Sequence, residues 1–148
     1  MMQHCYDNKF AKNAIRVLRA EGYRITVPRR LVLEALAARQ EPASPYELQK
    51  ALKEHGDHLD HVTIYRIVEL LERLNLIHKV LSTGGYVRCT LENSSGCHRY
   101  LVCRQCGALQ EFADESLCRK ENEIAAKMGF QADHHIEEFH GLCADCHA

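Results

Sequence analysis

Two pairs of cysteines, each with two residues between its members, are the strongest chemical signal in this chain of 148 residues. The first pair is Cys103 and Cys106, and the second is Cys143 and Cys146 near the C-terminus. Together they offer four thiolates, the ligand set that Zn²⁺ prefers in a closed, tetrahedral structural site. The alternatives are a redox-active motif, which needs only one pair in a βαβ context, and a pair of disulfides. The spacing favours a structural zinc that holds a whole subdomain together.

The charged residues divide the chain into two parts of opposite sign. Residues 1–91 hold 14 Lys and Arg against 10 Asp and Glu, whereas residues 92–148 hold 5 against 10. This asymmetry suits a modestly basic surface joined to an acidic domain that meets another partner. The sequence has no apolar run of about 18 residues and no signal-peptide core at its N-terminus. We therefore expect a soluble, cytoplasmic protein whose thiols stay reduced and available for metal.

Apolar residues at helical spacing predict four helices in the first part of the chain. The first ends at Gly22, and the second begins near Pro28. The third opens with the capping box Ser44-Pro45-Tyr46-Glu47. The fourth carries one apolar stripe: Ile64, Ile67, Val68, Leu71 and Leu74.

Two strands, 77–81 and 86–91, follow the fourth helix and flank a short turn. Helices followed by a β-hairpin are typical of a winged helix-turn-helix, with the fourth helix as reader and the hairpin as wing. Thr63, Tyr65 and Arg66 lie away from the apolar stripe, and such side chains contact base edges and phosphates. A solvated helix face is the plainer alternative, but the hairpin and the charge asymmetry favour DNA binding.

The composition changes after residue 91, where a polar, turn-forming segment predicts a domain boundary. We assign a winged-helix DNA-binding domain to 1–91, a hinge to 92–97 and a dimerisation and metal-binding domain to 98–148. The last domain is predicted to contain three short strands and a helix over 114–128. The inner side of that helix is expected to carry Leu117, Ile124, Ala125 and Met128. Such an α/β unit is too small to bury a large core alone, so a zinc site and self-association both make sense. The fold class is therefore α+β.

Several separated motifs resemble the ferric uptake regulator superfamily of metal-dependent repressors. They are Arg24-Ile25-Thr26, Val62-Thr63-Ile64-Tyr65-Arg66, His98 before Cys103-x-x-Cys106-Gly107, and Gly141-Leu142-Cys143-x-x-Cys146. Ile77-His78-Lys79-Val80 and Tyr86-Val87-Arg88-Cys89 are most similar to its zinc uptake regulator branch. The resemblance implies a winged-helix domain, a C-terminal dimerisation domain, a structural zinc on four cysteines and a regulatory metal near the hinge.

The same resemblance places the regulatory metal on His78, Cys89, His98 and Glu111. One thiolate, two imidazoles and one carboxylate suit Zn²⁺ better than a ferrous site built from hard ligands. Because the four ligands come from both domains, binding would fix the relative orientation of the domains. The resemblance thus implies at least two zinc ions per subunit.

Two positions depart from the family pattern. Where the family usually reads Pro-Gln-Arg, this chain has Val27-Pro28-Arg29. A second family metal position, normally His, Asp, Glu and His, corresponds here to Cys97, Arg99, Cys118 and His135. Arg99 cannot bind a cation, but Cys97, Cys118 and His135 could form a third zinc site, completed by water or His134. Two unpaired thiols and a surface histidine are the alternative.

These observations predict a homodimeric, zinc-responsive transcriptional repressor. The zinc-loaded dimer would bind double-stranded operators, AT-rich inverted repeats at zinc-uptake genes, and release them when zinc is scarce. The resemblance assigns base reading to Tyr46 and Arg66, and a backbone or thymine contact to Tyr65. The alternatives are an iron- or peroxide-sensing regulator of the same superfamily, and a thiol-disulfide or zinc-dependent enzyme. The sequence shows no nucleophile-base pair for an enzyme, and we expect no membrane partner and no small organic substrate.

Overall fold

The computed structural model describes residues 8–90, 97–133 and 135–148. The chain divides into two compact units, Met1–Cys89 and Thr90–Ala148. Within the described ranges, no helix is both long enough and apolar enough to cross a lipid bilayer. Most of the predicted hinge, and His134, lie outside the described residues. The last hinge residue, Cys97, is the first residue of a strand.

The described part of the first unit, residues 8–89, consists of four helices and a two-stranded hairpin. Its elements are α1 (Asn8–Ala20), α2 (Val27–Ala37), α3 (Pro45–Glu54), α4 (His61–Arg73), β1 (Ile77–Lys79) and β2 (Tyr86–Arg88). Side chains of Thr26, Ser44 and Asp60 cap the N-termini of α2, α3 and α4. The predicted capping box on α3 is formed in full, since Glu47 also accepts the N–H of Ser44. Local chemistry thus fixes where these helices begin.

The predicted stripe on α4 faces the core of the first unit. Ile64, Val68 and Leu71 are fully buried, and Leu74 at the end of the helix is half-buried. Burial of each such aliphatic side chain stabilises the folded state by roughly 1.5–3 kcal/mol. One side of α4 is therefore anchored, and the opposite side, which carries Tyr65 and Arg66, is exposed.

The hairpin is antiparallel, with Ile77 opposite Arg88 and Lys79 opposite Tyr86. Both strands are shorter than predicted. The carbonyl of Val80 accepts the N–H groups of Thr83 and Gly84, so the turn begins earlier than the hydrophobic pattern suggests.

The second unit is a three-stranded sheet with two helices. Its elements are β3 (Cys97–Cys103), β4 (Leu109–Phe112), α5 (Glu115–Lys127), β5 (His135–Gly141) and α6 (Ala144–His147). The strand order is β4-β3-β5, with β4 antiparallel and β5 parallel to β3. A parallel pair needs a long crossover connection, and α5 supplies it. The α+β class with an N-terminal winged helix is confirmed.

The prediction that four residues form the buried, inner side of α5 was wrong for three of them. Leu117, Ile124 and Met128 are 43%, 51% and 81% exposed in the single chain. Cys118 is the buried residue of the helix. The neighbouring face of the sheet carries charged groups, so a polar side of α5 meets it.

Candidate metal centres and DNA-binding surface

Strand β3 carries candidate metal ligands on both faces of the sheet. Successive side chains of a strand point to opposite faces, so Cys97 and Arg99 share one face while His98 and Tyr100 share the other. All four side chains are buried, with at most 3% exposed. One strand therefore supplies residues to separate clusters on the two faces, and its last residue, Cys103, belongs to another cluster at its end.

The four-cysteine cluster lies where β3 and β5 end side by side. In the parallel register Cys103 is opposite Gly141, so both cysteine pairs lie at the C-terminal ends of neighbouring strands. One sulfur from each of the four cysteines lies within 4.8 Å of the others. Zinc–sulfur bonds of about 2.3 Å would place the sulfurs of a tetrahedron about 3.8 Å apart. The Sγ atoms of Cys106 and Cys143 are 3.7 Å apart, which fits such an ion.

Backbone groups already favour a thiolate in this cluster. The N–H groups of Cys106 and Cys143 point at Cys103 and lower the pKa of its thiol to about 6. Hydrogen bonds that the Cys146 thiol makes to Cys143 and the other cysteines favour its neutral form and raise its pKa to about 12. Without a cation, four neighbouring thiols cannot all ionise, because like charges repel. A divalent cation such as zinc would offset this repulsion.

Two of the predicted regulatory ligands, His98 and Glu111, meet within the second unit. Nδ1 of His98 lies 2.9 Å from Oε1 of Glu111, and both side chains are nearly buried. Oε2 of Glu111 accepts the N–H of Thr90 (2.9 Å) and its hydroxyl (2.8 Å). The Tyr100 hydroxyl donates to Oε1 at 3.2 Å. The sequence did not predict the roles of Thr90 and Tyr100. Tyr100 pairs with Glu111 across strands β3 and β4, and this strand register is known only from the fold.

The other two predicted ligands, His78 and Cys89, meet within the first unit. His78 lies opposite Val87 in the hairpin, and the N–H of Cys89 donates to the carbonyl of Leu76. His78 and Cys89 are therefore diagonal neighbours on one face of the hairpin, a separation that side chains can span. Their ligand atoms lie within 4.8 Å of each other. Each unit thus contributes a pair of zinc-competent side chains.

Cys97, Cys118 and His135, the predicted third set, also come together. The sulfurs of Cys97 and Cys118 are joined, and Nδ1 of His135 lies 3.8 Å from Sγ of Cys97. The parallel register places His135 opposite Cys97, and α5 brings Cys118 onto the same face.

A buried arginine network adjoins this third set. The Arg99 guanidinium binds Glu121, and its Nε lies 3.2 Å from Oε2 of Glu137. This contact with Arg99 holds the pKa of Glu121 below its ordinary value. Glu121 was missed by the sequence reasoning, although its position three residues after Cys118 places both on one side of a helix.

The predicted DNA-contacting residues differ in how exposed they are and in whether they already make hydrogen bonds within the protein. Tyr46 is 66% exposed at the start of α3, beside a groove of about 500 Å³ that Lys50 and Lys53 also line. Tyr65 is 45% exposed on α4, and Arg66 beside it is exposed as well. These three side chains are available to a partner.

Thr63, the fourth predicted contact, is already engaged within α4. Its hydroxyl and its N–H both donate to the carboxylate of Asp60, at 2.6 and 2.8 Å. These bonds lower the pKa of Asp60, so the cap stays ionised at neutral pH. Thr63 therefore fixes the first turn of the helix that carries Tyr65 and Arg66.

Comparisons with known proteins agree with this architecture. A model of the ferric uptake regulator family matches residues 20–140. The chain is 31% identical over 146 residues to the zinc uptake regulation protein of Escherichia coli (strain K12), covering 98% of this chain and 85% of that protein. It is 33% identical over 131 residues to the ferric uptake regulation protein of Legionella pneumophila, covering 87% of this chain and 95% of that protein.

Solved structures give the same result. A zinc uptake regulator complexed with zinc and DNA matches with a TM-score of 0.82 at 31% identity, covering 93% of this chain and 92% of that one. The structure of holo XcZur matches with a TM-score of 0.83 at 29% identity, covering 95% of this chain and 98% of that one. From the family match and these relatives, the chain belongs to the ferric uptake regulator family and is a metal-responsive regulator, not an enzyme.

Proposed function

We propose that this chain is a zinc-responsive transcriptional repressor of the cytoplasm. Its zinc-loaded homodimer binds AT-rich inverted-repeat operators of zinc-uptake genes and leaves them when zinc is scarce. The observation that carries the proposal is the pair of half-sites, His78 with Cys89 in the first unit and His98 with Glu111 in the second.

The types of these ligands support zinc as the regulatory metal. A thiolate is a soft ligand, and in combination with two imidazoles and one carboxylate it suits Zn²⁺. A regulator of ferrous iron would be expected to use harder oxygen ligands in place of Cys89. A second zinc on Cys103, Cys106, Cys143 and Cys146 would be structural, because four thiolates leave no open position.

The proposed switch follows from the division of the ligands between the units. A single ion that binds both half-sites fixes the orientation of the winged helix relative to the second unit. To move a two-state equilibrium from nearly off to nearly on, zinc must favour the bound arrangement by about 5.5 kcal/mol. Structural zinc sites supply roughly 10–16 kcal/mol, so one good metal site is sufficient.

Exposed apolar side chains of the second unit support the homodimer. The exposed side chains, between 43% and 81% exposed, are Leu117 and Ile124 on α5, Met128 and Phe130 after it, and Phe139 on β5. Several large apolar side chains exposed on one small domain favour an interaction site there. A second copy of the chain would cover it and would place two copies of α4 at successive turns of the DNA major groove.

The proposal is tested by measuring DNA binding as a function of metal. Fluorescence anisotropy with a labelled AT-rich inverted repeat, in buffered Zn²⁺, Fe²⁺ and Mn²⁺, should give tight binding at the lowest free concentration for zinc. A chelator should reverse it. Binding driven at lower free Fe²⁺ or Mn²⁺ than Zn²⁺ would instead favour the iron- or peroxide-sensing alternative, and metal-independent binding would contradict the switch.

A further inference from the structure

Cys97 and Cys118 link the first residue of β3 to the inner side of α5. Their sulfur atoms are joined, and their Cα atoms are 6.1 Å apart. The two residues are 3% and 5% exposed. A Cα separation of about 4.4–6.8 Å allows a disulfide without backbone movement. The backbone therefore already holds this pair at a separation that a disulfide can bridge.

His135 completes a metal-ligand set with the same two sulfurs. One ligand atom from each of the three residues lies within 4.8 Å of the others. With bonds of about 2.3 Å to sulfur and about 2.0–2.1 Å to nitrogen, tetrahedral zinc separates two such ligands by about 3.6 Å. The observed distance between Cys97 Sγ and His135 Nδ1 is 3.8 Å. The imidazole is thus already placed as a ligand would be.

A carboxylate fixes the orientation of that imidazole. Oε2 of Glu121 lies 2.8 Å from Nε2 of His135, so the other ring nitrogen, Nδ1, faces the sulfurs. A zinc-bound histidine characteristically gives its second ring nitrogen to a carboxylate in this way. Glu121 and Cys118 are three residues apart on α5, so one helix face supplies both the ligand and the group that orients its neighbour.

The charges around the cluster also suit a divalent ion. Two thiolates would balance Zn²⁺, and the adjacent guanidinium of Arg99 is already balanced by Glu121 and Glu137. The side chains of His135 and Glu121 are 21% and 35% exposed, which opens the cluster to solvent on that side. Three protein ligands leave a fourth position for water. The site would exchange its metal more readily than the closed four-cysteine site.

We propose that Cys97, Cys118 and His135 form a redox-labile zinc site, which holds Zn²⁺ when the thiols are reduced and releases it when they are oxidised. Hydrogen peroxide is the oxidant class that the site would take. The two thiolates lose two electrons and form the S–S bond, while the O–O bond breaks and its oxygens take up two protons to leave as two waters. Zinc leaves without a change of oxidation state. This inference does not depend on zinc-controlled DNA binding.

The experiment counts zinc in the full-length protein. Wild type and Cys118→Ser are loaded with zinc under anaerobic, reducing conditions, dialysed, and analysed by mass spectrometry of the elements. Wild type should hold one zinc ion more per subunit than Cys118→Ser. One equivalent of peroxide per subunit should then release that additional ion, detected with a chromophoric chelator, and peptide mapping should find the Cys97–Cys118 disulfide.

Two further variants separate this site from the others. Cys89→Ala should lose the regulatory ion yet keep the peroxide-released one. Glu121→Gln should weaken zinc at this site about 10–100-fold in a chelator competition, as the loss of an orienting carboxylate does. Urea unfolding of the same variant measures any stability lost with the Arg99 ion pair. A loss of zinc affinity with an unchanged urea midpoint would assign the effect to the orientation of His135, whereas a matching loss of stability would assign it to the Arg99 ion pair.

Two results would overturn the inference. Equal zinc content in reduced wild type and Cys118→Ser, with both dimeric by ultracentrifugation, would show that the cluster binds no zinc. Retention of the additional ion after peroxide treatment would show a stable metal site without redox lability. If Cys118→Ser fails to fold, His135→Ala gives the same comparison, since the His135 side chain lies partly at the surface.

Discussion

Nδ1 of His98 and Oε1 of Glu111 lie 2.9 Å apart on one face of the second unit. Zinc bonds of about 2.0–2.2 Å to these atoms would separate them by roughly 3.3 Å, so zinc could replace the shared proton with little movement. Oε2 of Glu111 is held separately by Thr90. One oxygen is thus held by Thr90, while the other faces the imidazole and accepts from the Tyr100 hydroxyl.

The first prediction concerns this pair, which we propose to be regulatory. His98→Ala should leave the fold and the structural zinc intact and abolish zinc-dependent operator binding, since the ion loses one of two imidazoles. Cys89→Ala should do the same from the other unit. His55→Ala, which changes an exposed histidine directly after α3, is the control. Fluorescence anisotropy against buffered zinc is the measurement; an unchanged zinc dependence in either variant would place the sensor elsewhere.

The second prediction concerns Thr90, which holds Glu111 through two hydrogen bonds. Thr90→Val removes the hydroxyl donor but keeps the N–H and the shape. Because orienting partners of metal ligands contribute about 10–100-fold in affinity, the zinc concentration for half-maximal DNA binding should rise by about that factor. Maximal binding at saturating zinc should not change. If Thr90→Val and wild type respond to the same zinc concentration, Thr90 does not position the ligand.

The third prediction concerns the four-cysteine site. Cys103→Ser or Cys143→Ser should remove the tightly held zinc and with it dimerisation, because the other three thiolates cannot close the tetrahedron. Cys89→Ser is the matched control and should remain dimeric. Analytical ultracentrifugation and metal analysis report the two properties together. A folded, metal-free dimer of Cys103→Ser would refute the structural role.

The fourth prediction concerns base reading by α4. Arg66→Ala should weaken binding to the operator by roughly 1–3 kcal/mol and relax specificity at one position in each half-site. Arg119→Ala, an exposed arginine on α5, should change little. Anisotropy with operator and scrambled DNA at two salt concentrations separates the possibilities. Equal losses on both DNAs, with a salt slope lower by about one unit, would make Arg66 a phosphate contact.

The fifth prediction concerns the capping box of α3. Glu47 accepts the N–H of Ser44 at 2.7 Å, and this bond lowers the pKa of Glu47 below its ordinary value of 4.5. A lowered folded-state pKa stabilises the fold above the ordinary value, and that stabilisation is lost as pH falls through the folded-state pKa. Urea unfolding from pH 6 to 3 should show a smaller acid loss for Glu47→Gln than for wild type. Glu54→Gln, at the other end of α3, should follow wild type.

A companion variant tests the other half of the same cap. Ser44→Ala should lower the free energy of unfolding by about 1 kcal/mol at neutral pH, because the Glu47 N–H loses its acceptor. An unchanged urea midpoint would show that this cap does not contribute to stability.

The sequence by itself determined the local features and the family. The capping box at Ser44, the stripe on α4 and the two cysteine pairs are patterns over a few residues, and each follows from chemistry within one turn or one helix face. The separated motifs determined the family because their order and spacing span nearly the whole chain. The outward placement of Tyr65 and Arg66 also follows from the period of the helix.

Only the tertiary structure decided which distant residues meet. The parallel register of β3 and β5 brings Cys103 to Gly141 and Cys97 to His135, and no local pattern specifies a strand register. The inner side of α5 was mispredicted because hydrophobicity alone ignores the charged face that it meets, where Glu121 binds Arg99. Local periodicity fixes the faces of single elements, whereas their partners depend on packing across the chain.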